Sequence, residues 1–438
     1  MLQSTRVAFS VARGRLGSFS ESAYRSDLQI FSAFGNHQVT VFRPNLIKRV
    51  LSEHAEHYAK HDSYLEPIRM LVGEGLLVSS GEHWANSRRA FHAWLDGPAL
   101  RAIYSQMQAA TRDFLARLEG TSLNAVDVGN QMNAVTADII YRSLFDEPLD
   151  ADFRRTLEAE FPIFRHGAQA HAVFQTFGLP RLLSHGLRRK LAATCASMRG
   201  PAREAIRRRT QSTSKKHHLI WLLQQERQRA HKPLLTEEQL LDEVMTVLLA
   251  GHETTSASLS WALNLLAANP EWQAVVRNEI TTTLTSSEVP LSALVKLTAT
   301  RDTFRETMRL YPAVPVIPRL ASRASRWAGR SFPAGIAVVT CPWVMHRREQ
   351  LWADAHQFRP TRFSDGSHRP AISSAYMPFG SGPRACPGAG FAMQEATLIL
   401  AEILRRYEIL PTSSADLEPR VHITLRPPQN FRLRFRPL

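Results

Sequence analysis

The chain has 438 residues, of which 44% are hydrophobic and 21% charged, the balance of a globular protein with a sizeable core. This composition excludes a disordered chain, a collagen-like repeat and a small disulfide-stapled scaffold. Lysine and arginine outnumber aspartate and glutamate by 54 to 39, and the resulting net charge of +15 favours acidic partners such as nucleic acid, anionic lipid or an acidic protein.

The cysteine content and the apolar residues near the N-terminus indicate the cellular compartment and the extent of membrane contact. Cys195, Cys341 and Cys386 form no CxxC pair, so neither a disulfide framework nor a zinc ribbon is expected. The scarcity of cysteine favours a reducing compartment, and we expect a cytoplasmic protein. The longest apolar stretch near the N-terminus, Val7 to Ala12, is too short to span a bilayer. The sequence therefore predicts no transmembrane anchor and at most peripheral membrane contact.

The predicted elements are mainly helical in the first two thirds of the chain. A short strand, a turn at Pro44 and a helix are expected within 38–53. Helical periodicity follows in three segments: 82–118 with a break at Gly97-Pro98, 125–144 and 151–164. The mixed segment 165–187 is expected to be a mobile connection. The polar run 207–218 is expected to be a solvated helix end and loop, or else an electrostatic docking patch.

A long helix is the clearest predicted element. It begins after Thr236, a good N-cap, and runs to Ala268 before Asn269-Pro270. Roughly thirty residues with a rise of 1.5 Å each would cross a whole domain, so the helix must be buried over much of its length. A polar cluster in its middle, Gly251 to Thr255, is costly there unless it has a use.

A glycine-rich cysteine segment carries the strongest chemical signal. After Glu306 short β-like runs lead to a final helix over 391–406, and residues 379–390 directly before that helix read FGSGPRACPGAG. A thiolate at a helix N-terminus is stabilised by the helix dipole and by free N–H groups. The pattern suits a soft metal ligand on a rigid loop, and the alternative is an ordinary turn with a buried cysteine.

This segment resembles the haem-binding loop of the cytochrome P450 family, FxxGxRxCxG, at Phe379, Gly382, Arg384, Cys386 and Gly388. The resemblance implies that Cys386 is the thiolate ligand of the iron of haem b. It also implies a mainly α protein with small β-sheets, a triangular helical prism around a long oxygen-binding helix. We expect a single domain of this kind over 38–438, after an N-terminal segment 1–37, and the soluble bacterial type of the family.

Two further motifs of the same family follow in order. Glu306 and Arg309 resemble its ExxR pair, and their spacing places both side chains on one helix face. Residues 358–363, FRPTRF, resemble its PERF motif, with Thr361 where glutamate is common. The resemblance implies that Arg362 completes a triad with Glu306 and Arg309 that braces the cysteine loop.

The polar cluster of the long helix resembles the oxygen-binding segment of the family, [AG]Gx[DE]T[TS], from Ala250 to Thr255. Gly251 would let a ligand approach the backbone, and a threonine hydroxyl that bonds to the carbonyl four residues earlier can locally widen the helix. The resemblance implies that Thr254 hydrogen-bonds the bound dioxygen. It also implies that Glu253 connects the site to a proton relay.

Haem carries two propionates, which require cations. Trp84 and Arg88 match the WxxxR pair of the family, with both side chains on one helix face. Arg384 and Arg319 stand where the family also contacts the propionates. Taken singly, each of these cations would be an ordinary surface residue.

The resemblance implies a monooxygenase that activates O2 with two externally supplied electrons and inserts one oxygen atom into a lipophilic small molecule, by hydroxylation or epoxidation. The expected electron donor is an acidic ferredoxin or flavodoxin with its NAD(P)H reductase, which the net charge would attract. We expect a monomer without a nucleic-acid partner.

Two alternatives stay open at this point. A non-oxygenating haem-thiolate isomerase or dehydratase is disfavoured by the intact Glu253-Thr254 pair. A basic nucleic-acid or membrane-binding protein would need a recognition motif, and the sequence offers none.

Overall fold

The structure is a computed structural model that describes residues 19, 21–33, 36–176, 184–211, 219–286, 288–327, 329–412, 417–429 and 431–438. Helices predominate in these residues and the strands form small sheets, which confirms the expected mainly α class. No helix in the described part of the chain combines the length and the apolar character needed to cross a bilayer.

The helices fall into two groups along the chain. Those of the first half are α1 (Glu21–Arg25), α2 (Pro44–Lys48), α3 (Asp62–Val72), α4 (Gly81–Leu95), α5 (Gly97–Glu119), α6 (Val128–Phe145), α7 (Ala151–Thr176), α8 (His185–Gln211) and α9 (Leu219–Arg229). Those of the second half are α10 (Glu237–Val247), α11 (Glu253–Ala268), α12 (Pro270–Thr283), α13 (Leu291–Leu294), α14 (Thr298–Leu310), α15 (Pro342–Met345), α16 (Arg369–Ala375) and α17 (Ala389–Leu404). Two π-helical segments, Arg49–Glu53 and Leu248–His252, follow α2 and α10 directly.

The largest sheet has five strands in the order β1-β2-β8-β5-β3. Its strands are β1 (Leu28–Ala33), β2 (Asn36–Val41), β3 (Tyr58–Lys60), β5 (Ile317–Ala321) and β8 (Ala337–Thr340). Only the β2–β8 pairing of this sheet is parallel. Because β1 pairs with β2, the ordered sheet reaches into the segment 1–37 that the sequence analysis set apart from the domain.

Three smaller sheets complete the strands of the described residues. Their strands are β4 (Val126–Asp127), β6 (Ser325–Trp327), β7 (Arg330–Phe332), β9 (Tyr407–Pro411), β10 (Arg420–Val421), β11 (Leu425–Arg426) and β12 (Arg432–Pro437). Strand β12 lies between β4 and β9, whereas β6 pairs with β7 and β10 pairs with β11. Residues 422–424 form the turn of the short β10–β11 hairpin.

The predicted mobile connection over 165–187 is wrong for residues 165–176. Helix α7 continues to Thr176, and the residues 177–183 lie outside the described part. Gly167, within this segment, permits close packing of α7 on α8. A Cβ at Gly167 would lie 2.5 Å from Cδ2 of Leu191 on α8. In the polar run 207–218, helix α8 extends to Gln211, and the residues after it are also outside the described part.

The long helix is confirmed and forms the centre of the main core. Thr236 and Gln239 form a capping box at its start, because each side chain hydrogen-bonds the backbone N–H of the other residue. The helix then continues through α10, the π-helical segment Leu248–His252 and α11 to Ala268. It contacts α3, α6, α8, α12, α14 and α17, so its middle lies deep in the protein.

Candidate active site

The cysteine loop is held by its own backbone hydrogen bonds. Cys386 N–H donates to the carbonyl of Phe379 at 2.8 Å, and Gly380 N–H donates to the carbonyl of Met377 at 3.1 Å. The side chain of Cys386 is accessible to solvent although protein atoms surround the residue, so it faces an internal space. Burial raises the pKa of this thiol, while the Gly388 N–H and the charge of Arg88 oppose that shift. Both opposing effects favour a thiolate at Cys386.

Gly382 seats this loop on the π-helical segment Arg49–Glu53. Its φ of +72° lies in the left-handed region, and a Cβ there would come within 1.9 Å of the Leu51 carbonyl oxygen. Any other residue would therefore push the loop away from the segment. The hydroxyls of Ser52 and Ser381, 3.1 Å apart, add a direct hydrogen bond across the same contact.

Glu306, Arg309 and Arg362 form a fully buried cluster, with no exposed area on any of the three. Arg309 donates to both carboxylate oxygens of Glu306 at 2.7 and 2.8 Å, and Arg362 Nε donates to Oε1 at 3.0 Å. The other guanidinium N–H groups donate to backbone carbonyls, among them those of His346 and Ala355, and Arg362 Nη1 also contacts Nε2 of His368 at 3.1 Å. A buried charge cluster with its donors used in this way fixes the segments that it touches.

His346 connects this cluster to the cysteine loop. Its Nε2 accepts the backbone N–H of Met377 at 2.9 Å, and its Nδ1 lies 3.1 Å from the carbonyl oxygen of Arg309. Burial, and then the nearby Arg309, lowers the pKa of His346 to about 3. The ring is therefore neutral, with its proton on Nδ1, because Nε2 must accept. The sequence analysis did not assign a role to His346.

The middle of the long helix also has a solvent-accessible face, although the residues around it are buried. Between Leu240 and Leu263 every residue is buried except Ala250, Gly251 and Thr254. Thr254 Oγ1 donates to the carbonyl of Ala250 at 2.7 Å, directly beside the π-helical segment. The helix is thus widened where the sequence predicted it.

Gly251 also makes a packing contact, while the predicted approach of a ligand to its backbone stays a prediction. A Cβ at this position would lie 2.7 Å from Cδ1 of Ile140 on α6, so the glycine allows α6 and the long helix to approach closely. The structure thus gives a packing reason for Gly251. Ala250 and Thr254 carry the accessible face of the helix.

Glu253, only 1% exposed, is clamped by two arginines from distant parts of the chain. Arg426 donates to its two oxygens at 2.9 and 2.8 Å, Arg165 donates at 3.2 Å, and Thr424 donates at 2.8 Å. Burial alone would raise the pKa of Glu253, but Arg426 and Arg165 outweigh it and lower the pKa to about 2. With both oxygens engaged, Glu253 must exchange a partner before it can accept a proton, so its place in a relay stays a prediction.

Four basic side chains lie near one another: Lys60, Arg88, Arg319 and Arg384. Lys60 and Arg319 are direct cross-strand neighbours on β3 and β5, and Arg384 stacks over the ring of Trp84 at 3.8 Å. Burial, and then repulsion from Arg384 and Arg319, lowers the pKa of Lys60 to about 7. Burial, and then Arg319 and Arg88, lowers the pKa of Arg384 to about 10.

No carboxylate of the described residues lies within ion-pair distance of Lys60, Arg88, Arg319 or Arg384. Buried like charges of this kind are unfavourable unless an anion joins them. A thiol facing an internal space and a cluster of unneutralised cations fit haem, which needs one axial ligand and two charge partners for its propionates. Motifs in the sequence mark Arg88, Arg319 and Arg384 but not Lys60, whose ammonium donates to the carbonyls of Leu76, Leu77 and Ser79 at 3.1, 2.6 and 3.0 Å.

Comparison with known proteins agrees with this geometry. A family model described as cytochrome P450 matches residues 25–435. The chain is 29% identical over 401 residues to "Cytokinin hydroxylase" of Arabidopsis thaliana, an alignment that covers 90% of this chain and 77% of that protein. It is 28% identical over 385 residues to "Cyclooctatin synthase" of Streptomyces melanosporofaciens, with 87% and 83% covered. It is 29% identical over 412 residues to "Probable cytochrome P450 4aa1" of Drosophila melanogaster, with 88% and 78% covered.

Proposed function

The chain belongs to the cytochrome P450 family, and on that premise we propose that it oxygenates a lipophilic small molecule at a haem held by Cys386. Members of the family are haem-thiolate monooxygenases that use O2 and electrons from a redox partner. The bound haem supplies the oxygen activation. The residues of this chain hold the haem, shape the substrate space and manage protons.

The Cys386 thiolate would hold the haem iron. The accessible side chain of this residue leaves the sulfur open to an iron atom, and the Gly388 N–H and the charge of Arg88 oppose the rise in pKa that burial causes. The cluster around Glu306 and the ring of His346 support a positioning role for the segments on either side of the loop. A backbone that is fixed in this way holds the Cys386 side chain in position, and no further side-chain contact to Cys386 is needed.

The propionates are the proposed partners of Arg88, Arg319 and Arg384, with Trp84 beside Arg384, whereas the Lys60 ammonium already donates to the carbonyls of Leu76, Leu77 and Ser79. The support for this assignment is the charge of these arginines, which no carboxylate of the described segments balances. Arginine is suited to this task because its fork of N–H donors matches a carboxylate.

Thr254 is the proposed proton-handling residue. Its hydroxyl donates to the Ala250 carbonyl, so the lone pairs of Oγ1 are available to accept a hydrogen bond from a water or a reacting hydroxyl. Glu253 stays ionised in its clamp and supplies a fixed negative charge one residue away. Transfer of a proton from Glu253 would require Arg426 or Arg165 to give up a contact.

An acidic ferredoxin or flavodoxin with its NAD(P)H reductase is the proposed electron source, supported by the net charge of +15. Insertion into a C–H or C=C bond of a lipophilic compound is the proposed reaction. The apolar residues Val314 and Ile317, which follow the Arg309 helix and are not fully buried, support an apolar substrate space near the site.

The observation that carries the proposal is the accessible face of Ala250 and Thr254 in the middle of an otherwise buried helix. To test it, apolar compounds that shift the haem spin state would be turned over with a surrogate ferredoxin system under heavy-isotope dioxygen. We expect one labelled oxygen atom in the product, and a Thr254→Ala variant that consumes NADPH but forms less product. A product without the label would favour the isomerase or dehydratase alternative.

A further inference from the structure

A second cluster of metal-ligating side chains lies away from the cysteine loop's sulfur, on the turn between the π-helical segment Arg49–Glu53 and β3. His54, Glu56 and His57 each offer one ligand atom, and these atoms all lie within 4.8 Å of one another. His57 Nε2 is 3.0 Å from Glu56 Oε1, and His54 Nδ1 is 3.9 Å from the same oxygen. Nothing in the haem site uses these three side chains.

These distances match the first coordination shell of a tetrahedral cation. With metal–ligand bonds of about 2.1 Å, neighbouring ligand atoms in a tetrahedral site stand about 3.4 Å apart. The observed separations of 3.0 and 3.9 Å bracket that value, so small rotations of exposed side chains would complete the geometry. The two imidazole rings are already stacked side by side, with centroids 6.1 Å apart and planes at 24°.

The backbone that carries the three side chains is fixed. His54 N–H donates to Arg49 O at 3.0 Å and His57 N–H donates to His54 O at 2.9 Å, so the segment is a closed turn. Ser322 holds the other end, because its N–H and its hydroxyl both donate to the His57 carbonyl, at 2.9 and 3.1 Å. A turn that is ordered in advance loses less entropy when it binds an ion.

We propose that His54 Nδ1, Glu56 and His57 Nε2 bind one divalent transition-metal cation of the zinc class. Two imidazoles and one carboxylate favour such an ion over calcium or magnesium, which prefer oxygen ligands only. The side chains of His54, Glu56 and His57 are 38%, 61% and 27% exposed, which leaves an entry path and a position for water. The set of two histidines and a glutamate is one that zinc accepts with an open fourth position.

The ion would lie next to the contact that seats the cysteine loop. The turn follows directly on the segment whose Leu51 carbonyl abuts Gly382 and whose Ser52 hydroxyl bonds Ser381. A bound ion would therefore stabilise the base of that contact.

Equilibrium dialysis of the tag-free holoprotein against Zn²⁺, read out by elemental analysis, tests this proposal. The variants are His54→Ala and Glu56→Gln, and His185→Ala, an exposed histidine at the start of α8, is the matched control. We expect the parent protein and the control to bind one more equivalent of Zn²⁺ than either variant at the same free concentration, with a loss of affinity of at least about tenfold. Binding should weaken as the pH falls, because protons compete for the imidazoles.

Thermal unfolding gives an independent readout that does not depend on turnover. Zn²⁺ should raise the Tm of the parent protein and of His185→Ala, and leave that of the two variants unchanged. Equal uptake of Zn²⁺ by all four proteins would overturn the proposal, and so would an equal shift of Tm. In either case the contact between Glu56 and His57 would be an ordinary contact between two side chains.

Discussion

Met377 donates its backbone N–H to Nε2 of His346 at 2.9 Å, and this bond links a buried charge cluster to the start of the cysteine loop. On the other side, the Arg309 guanidinium donates to the carbonyl of His346 at 2.7 Å, and the Arg309 backbone carbonyl accepts from His346 Nδ1 at 3.1 Å. Because Met377 also accepts from Gly380, a continuous series of hydrogen bonds runs from Glu306 to the loop. His346 is thus the positioning residue between the two motifs.

Replacement of His346 by leucine should loosen the loop. The variant leaves the Met377 N–H without an acceptor in a buried place, which costs about 1–3 kcal/mol. We expect a lower unfolding midpoint in urea and a reduced carbon monoxide spectrum that loses its thiolate form on mild heating. The matched control is His231→Ala, at an exposed turn. A His346→Leu protein with the spectrum and midpoint of the control would contradict this role.

The buried His252 should make the protein sensitive to acid. Burial lowers the pKa of His252 from 6.5 to about 3, so between these values the unfolded chain binds a proton that the folded chain does not. Stability from this group is present above the ordinary pKa and is lost as the pH falls, by up to about 1.4 kcal/mol per pH unit.

His252→Phe provides the test, because the ring already packs on Phe161 at 4.8 Å and its Nδ1 finds no partner among the described residues. We expect this variant to be more stable than the parent below pH about 6 and to show a smaller slope of unfolding free energy against pH. Urea unfolding at a series of pH values measures both quantities. Parallel pH profiles for the two proteins would refute the assignment.

Breaking the ion pair between Glu253 and Arg426 should cost more unfolding free energy than removing both of its charges together. Arg426→Gln leaves a buried carboxylate with Arg165 as its only cation, and breaking a buried pair in this way costs about 3–5 kcal/mol. The double variant Glu253→Gln, Arg426→Gln removes both charges of this pair and should recover only part of that loss, because the buried Arg165 then lacks a carboxylate. Arg165→Gln, which removes a single contact of 3.2 Å, should cost less.

A double-mutant cycle of unfolding free energies measures the coupling, and the pH profile of turnover supplies a readout that a purely structural pair would leave unchanged. Arg426→Gln should raise the pKa of Glu253 and shift the acid limb of that profile upward. Additive losses in the cycle would contradict a direct pair.

The arginines that no carboxylate balances should strengthen haem binding and should not stabilise the haem-free protein. Arg319→Gln removes one of several repelling charges, so the apoprotein should be no less stable, while haem should dissociate about tenfold faster because a charge-assisted hydrogen bond is lost. Haem transfer to an excess of apomyoglobin measures the rate. Arg326→Gln, an exposed arginine on β6, is the matched control. Equal rates for both variants would remove Arg319 from the site.

Local signals predicted the parts of the fold that depend on neighbouring residues. Thr236 with Gln239 marks the start of the long helix, and Thr254 marks its widened segment, because capping and back-bonding act within four residues. The cysteine loop and the Glu306-Arg309 pair were found for the same reason. Each lies in a short motif whose spacing is readable without the rest of the chain.

Contacts between distant segments could not be predicted in this way. Arg426 and Arg165 meet Glu253 through pairings across much of the chain, and nothing in their local sequence distinguishes them from surface arginines. Lys60 faces Arg319 only because β3 pairs with β5. The contact between Gly167 and Leu191 joins two helices, so the segment 165–187 gave no local sign that α7 continues into it.

The measurement that tests the central claim most directly is the carbon monoxide difference spectrum of the reduced protein, with Cys386→Ala beside Cys195→Ala. Cys195 is a suitable control because it is buried and its pKa is raised to about 12, so it is inert. We predict the long-wavelength Soret band of thiolate-ligated haem in the parent protein and in Cys195→Ala, and its loss in Cys386→Ala. A Cys386→Ala protein that keeps this band, or a parent protein that binds haem without showing it, would contradict the account.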